Sequence, residues 1–201
     1  MKRRKIWIAV VAVMLLVSLS TPSVKAAANK TKIKQVIKTY MKEAKNTNAK
    51  KMSKCIKSPG EFKFTPKEVK KAFPYFSKIY LKNKKISYTY KSINVTGKTA
   101  VVKVSVKSPN IKKAADKAME DFIKYAFNHP NMSENESDTL FFKLLKKAIQ
   151  KRGVQMYKHT MTFKMVKTAH GWKINKSTDA DYDLVFGRFF SIMKEYEKAF
   201  K

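Results

Sequence analysis

One cysteine, three histidines and a run of alternating aspartates are the residues in this chain whose types could do chemistry. Cys55 would need a histidine beside it to act as a nucleophile, and no local motif supplies one. Its place on the inward side of a short helix fits a small buried hydrophobe instead. His129 and His170 stand at element ends and His159 within a strand; none has a second His or a Cys at metal-ligand spacing. Tyr157 and His159 are expected to point to opposite sides of their strand and are not counted as an acid–base pair. Asp179, Asp181 and Asp183 alternate as in a calcium loop, but that loop wants Gly sixth and Glu twelfth, where this chain has Leu184 and Phe190. The three acids fit better at the amino end of a helix, where its dipole favours negative charge. No catalytic residue, metal ligand or cofactor is therefore expected.

The chain opens with an address. Lys2, Arg3, Arg4 and Lys5 precede an apolar run from Ile6 to Leu19, followed by Thr21-Pro22-Ser23 and the small-residue site Val24-Lys25-Ala26. This is the layout of a secretory signal peptide, residues 1–26, with a second acceptable cut after Ala28. The apolar run is shorter than the roughly 20 residues a membrane-spanning helix needs. No cysteine stands near the cut to carry a lipid anchor. A secreted protein, extracellular or cell-wall associated, is expected, with residues 27–201 forming a single α+β domain. Loss of the leader removes Lys2, Arg3, Arg4, Lys5 and Lys25 and no acid, lowering the formal charge from +31 to +26.

The remaining periodicities supply the elements. Ile33, Val36, Ile37, Tyr40, Met41 and Ala44 recur at helical spacing. A short helix carrying Met52, Cys55 and Ile56 follows, ended by Ser58-Pro59-Gly60. Thr65-Pro66-Lys67-Glu68 is a helix start with a capping box, and Pro74 should interrupt that helix. From Ile86 the period becomes two. Ile86, Tyr88 and Tyr90, then Ala100, Val102, Val104 and Val106, alternate with polar residues around a turn at Thr96-Gly97-Lys98, which predicts a hairpin. Two helices follow, one from Ile111 to His129 and one capped by Ser137 or Asp138 and stopped at Gly153. A long strand from Val154 to Thr168, a short one at Trp172-Lys173-Ile174 and a last helix from about Asp181 close the chain.

Helix, hairpin, helical insertion, then a second hairpin ending in Gly171-Trp172-Lys173-Ile174 resembles the nuclear transport factor two-like (cystatin-like) superfamily. More narrowly, it resembles the secreted domains of unknown function of Gram-positive bacteria. The resemblance rests on the helix Thr31 to Lys45, the paired strands Ile86 to Val106 and the late strand reaching Trp172. It implies an α+β fold in which a curved antiparallel sheet packs against several helices as a cystatin-like roll. Members of the superfamily include binding modules and enzymes with a cone-shaped pocket, so the fold alone does not choose a function.

Charge narrows the choice. An excess of ammonium groups on a domain of this size should attract polyanions, less so as salt rises. The partners expected are an anionic cell-wall polymer or membrane headgroups. Sequence-specific nucleic-acid recognition is not expected, because Arg152 and Arg188 are the only guanidinium groups beyond the leader. The expected contact is the stripe Lys34, Lys38, Lys42 and Lys45 on the first helix. The alternative is a concave pocket lined by Tyr88, Tyr90, Val104 and Phe163 that holds a small apolar ligand or peptide. An enzyme is the least supported of the three, since no carboxylate falls on the apolar strand faces.

Overall fold

The computed structural model describes residues 22–199. The expected leader lies outside the described residues up to position 21, and its expected cut after Ala26 falls within the first helix, α1 (Pro22–Lys45). The apolar stripe of α1 faces inward as its spacing predicts: Ile33, Ile37, Tyr40, Met41 and Ala44 are all fully buried. A one-turn helix, α2 (Ala49–Met52), and a 3-10 turn carry Met52 and Cys55 into the core.

The next residues overturn one expectation. Ile56–Ser58 form a strand, β1, instead of ending a helix, and the strand runs parallel to β5 (Gly171–Lys176), with Ile56 opposite Ile174. Three residues are too few to show an alternating pattern, so nothing in the local sequence announces this strand. The sheet is consequently mixed, not purely antiparallel.

Thr65 and Glu68 close the expected capping box at α3 (Pro66–Ala72). Pro74 breaks the helix into α3, a 3-10 turn and α4 (Ser77–Asn83). The hairpin β2 (Ser87–Thr96) and β3 (Thr99–Asn110) turns at Gly97, whose φ of 57° suits glycine. The helical insertion is α5 (Lys112–Phe127) and α6 (Glu134–Arg152), packed on each other. The α6 cap is a Ser133–Glu136 capping box, earlier than the expected Ser137 or Asp138. β4 (Gln155–Thr168) and β5 follow.

The expected final helix is two helices, α7 (Asp179–Phe186) and α8 (Phe189–Ala199). The break falls at Gly187 and Arg188, both left-handed, with φ of 63° and 69°. Among the described residues eight helices accompany five strands in the order β1-β5-β4-β3-β2, an open sheet that does not close into a barrel.

Strand alternation sorts the sheet into two unlike faces. Val102, Val104, Val106, Met161, Phe163, Met165, Trp172 and Ile174 are buried on the inward face. Helix α1 lies against β2 and β5, while α4 and α7 lie against β3. The outward face carries exposed Lys91, Lys103, Lys107, Lys158 and Lys164.

Candidate functional site

The inward face is filled. Tyr40 of α1 meets Phe163 edge to face at 5.4 Å, and Val104 is fully buried beside it in the core. Tyr88 and Tyr90 are half-buried neighbours 5.7 Å apart, and the Tyr90 hydroxyl donates to the Lys34 carbonyl at 3.0 Å. The four residues expected to line a pocket thus share one face, but α1 seals it. A semi-enclosed hollow of about 140 Å³ remains near Phe163, Thr178 and Asp181.

Asp181 is a carboxylate on the inward face, delivered by α7 and not by a strand. One carboxylate oxygen accepts from the Tyr40 hydroxyl; the other accepts from the Thr178 amide at 2.5 Å and its hydroxyl at 3.0 Å. Burial pushes both Tyr40 and Asp181 above their usual ranges. With three hydrogen bonds shared over both oxygens, the carboxylate joins α1 to the start of α7. Asp183 is spent similarly, accepting from the Ser191 hydroxyl and, at 3.0 Å, the Ser191 amide.

Tyr157 and His159 correct the sequence expectation. Residues two apart on a strand share a face, and their rings stack with centroids 4.5 Å apart and planes 7° apart. The Arg188 guanidinium sits 5.1 Å from the Tyr157 centroid. Burial, with Arg188, lowers the His159 pKa, while burial pushes the Tyr157 phenol up to about 12. The two rings form a packed stack on the inward face of β4. Cys55 is buried, and burial raises its thiol pKa, which disfavours the thiolate.

A concavity of about 680 Å³ lies at the tip of the α5–α6 hairpin beside the Tyr125–His129 stack. Its polar groups are partly committed, since Glu136 caps Ser133 and the Asn128 amide donates to the Lys124 carbonyl.

The outward face differs from all of these. None of the chain's 14 acidic residues stands in a strand. Every ion pair among the described residues joins α5, α7, α8 or Arg188. Among the described residues no lysine of the outward face forms an ion pair with a carboxylate. Between them stand hydroxyls: Thr89 opposite Ser105, Ser105 opposite Thr160, and Lys103 opposite Thr162. The Lys91 ammonium donates to the Thr160 hydroxyl at 2.9 Å. Lys107 is paired in register with Lys158, although like charges directly opposite are destabilising. A hollow of about 260 Å³ opens there, lined by Ser87, Tyr88, Thr89, Ser105, Lys107 and Lys158.

The α1 stripe is a second cationic feature. Lys34, Lys38 and Lys42 are exposed and Lys45 is half-buried. Lys34 reaches to 5.5 Å from the Tyr90 centroid, so the stripe meets the sheet at its β2 edge.

These features define an α+β domain with an open mixed sheet, one face packed by helices and the other cationic and acid-free. No protein-family model and no curated protein matches the chain. A candidate lipoprotein of Bacillus subtilis, YcdA, is similar at a TM-score of 0.34 and 18% identity, over 56% of this chain and 37% of that one. The chain thus spans little more than a third of that protein's structure, and a likeness so slight assigns neither fold family nor function. Among the described residues no helix is long and apolar enough to cross a membrane.

Proposed function

We propose that this chain is a secreted, envelope-associated binding domain that docks on anionic polymers through the outward face of its sheet. The observation that carries the reading is the segregation of charge: lysines and hydroxyls share a face from which carboxylates are absent. The three-part leader at residues 1–26 supports the location outside the cytoplasm. The helix-covered open sheet supports a nuclear transport factor two-like origin, in which the inward face has been filled by side chains instead of kept as a pocket. The α1 lysines extend the same field around the β2 edge, as a flank to the sheet face.

The test is retention on purified anionic wall polymer across a salt series. Binding at low salt that falls steeply as salt rises fits a contact made of ammonium groups. Absence of retention at low salt removes the proposal.

A further inference from the structure

The geometry points to a more definite ligand for this face: we infer that it binds a base-free phosphodiester polymer, with one phosphate seated in the hollow between Lys107 and Lys158. The inference rests on the polyanion reading above and names the chemistry of its ligand.

Three observations converge on the hollow. First, Lys107 and Lys158 stand opposite each other across β3 and β4 with no acid on their face. Paired strand residues have Cα atoms about 5 Å apart, so two flexible ammonium groups can close on one anion from both sides. Their mutual repulsion in the empty protein is relieved when that anion arrives. Second, the exposed Ser87 and Thr89 bring hydroxyl-bearing side chains to the same 260 Å³ space, with buried Ser105 also in its lining. A planar carboxylate offers two oxygens, whereas a tetrahedral phosphoryl group offers oxygens in several directions and can use ammonium and hydroxyl donors together. Lysine acts here as a point charge suited to phosphate, without the planar fork by which arginine selects carboxylate.

Third, the lysines continue beyond the hollow. Lys103 stands two register steps along β3, and Lys164, opposite Val101, comes after it on β4. A two-residue step along a strand is about 6.7 Å, comparable with the separation of successive phosphorus atoms across an extended three-carbon diol bridge. Lys91, held over Thr160, fills the step between the hollow and Lys103. A polymer of glycerol phosphate laid along β3 therefore meets an ammonium group near each phosphate.

The same face argues against single-stranded nucleic acid. Binding without sequence preference relies on aromatic rings that stack successive bases. Tyr90, Tyr157, Phe163 and Trp172 all belong to the inward face, packed or half-buried against helices or one another. Tyr88 reaches the rim of the hollow but is itself packed on Tyr90.

The experiment measures the Kd of the chain at low salt for three probes: a glycerol phosphate oligomer, polyglutamate of matched charge and a single-stranded DNA of matched phosphate number. The same is done for K107Q/K158Q and for the charge-matched pair K38Q/K42Q on α1. All four lysines are exposed, so both variants should fold, which circular dichroism checks. The expected result is a loss of about tenfold or more for the glycerol phosphate oligomer in the sheet variant, as for two lost charge-assisted contacts, and about threefold or less in the α1 variant. Polyglutamate should bind more weakly than the phosphate oligomer and respond alike to both variants. Equal losses in the two variants would overturn the phosphate seat while leaving the polyanion reading intact. DNA binding tighter than glycerol phosphate would overturn the base-free assignment. No binding of any probe by the unaltered chain would overturn the polyanion reading itself.

Discussion

Tyr157 and His159 lie ring on ring at one end of β4, 4.5 Å between centroids, with the Arg188 guanidinium over the tyrosine. This stack closes the inward face where α7 turns into α8. Arg188 reaches it from a left-handed backbone position and also pairs with Glu195 at 2.7 Å. The His159 Nδ1 atom is buried without a hydrogen-bond partner, so a proton added to the ring would be poorly received.

A pH dependence of stability follows. The His159 pKa lies below its ordinary 6.5, chiefly through burial and secondarily through Arg188, with Asp183 opposing. Below 6.5 the unfolded chain binds a proton that the folded chain resists, so this residue makes stability rise with pH up to about 6.5 and fall on acidification below it. His159→Gln should flatten the melting temperature between pH 5 and 7, measured by thermal denaturation. An unchanged slope would place the pH response elsewhere.

The Tyr40–Asp181 bond ties the first helix to the seventh. Tyr40→Phe removes the donor and leaves a buried carboxylate oxygen without it, at a cost of about 1–3 kcal/mol. Asp181→Ala should cost more, because it also opens the capping box at Thr178. Urea denaturation of the two variants checks the order.

Gly187 lets α7 end and α8 begin over a crowded spot. Its φ is 63°, and a Cβ there would stand 3.3 Å from the Ile111 side chain. Gly187→Ala should destabilise by about 1–3 kcal/mol through the left-handed backbone and the contact together. Gly97→Ala, with similar φ but open space around it, should cost less. Comparing the two melting temperatures separates packing from backbone.

The opposed Lys107 and Lys158 repel each other across the sheet. Lys107→Gln should therefore stabilise the free protein by about 0.2–1 kcal/mol at low salt, and the gain should shrink in high salt as the charges are screened. A stabilising substitution that weakens ligand binding is the signature of a residue placed for binding.

Much of the fold is legible in the sequence because it depends on local periodicity. The stripe from Ile33 to Ala44, the alternation through Val102, Val104 and Val106, and the breaks at Pro74 and Gly97 each leave a mark within a few residues. Three features do not. β1 is too short to alternate and exists through its parallel pairing with β5. The break at Gly187–Arg188 falls between two apolar runs, where the Ile111 amide donates to the Gly187 carbonyl at 3.0 Å across 76 residues of sequence. The capture of Asp181 by Tyr40 joins residues 141 apart in sequence.

The site is legible in composition but not in place. Lys103, Ser105 and Lys107 are visible as the polar half of an alternating strand, yet the opposition of Lys107 and Lys158 depends on register across a two-helix insertion. The lysine stripe of α1 is visible from spacing alone, which favours it as the expected contact. The bare sheet face emerges only once α1, α4 and α7 are known to pack on the other side.

The most direct test of the sheet face is to map backbone amide chemical shifts while a glycerol phosphate oligomer is titrated in at low salt. Shifts are expected on β2, β3 and β4 around Ser87, Lys107 and Lys158, reversed by added salt. Shifts confined to α1, or to the α5–α6 hairpin, would contradict it.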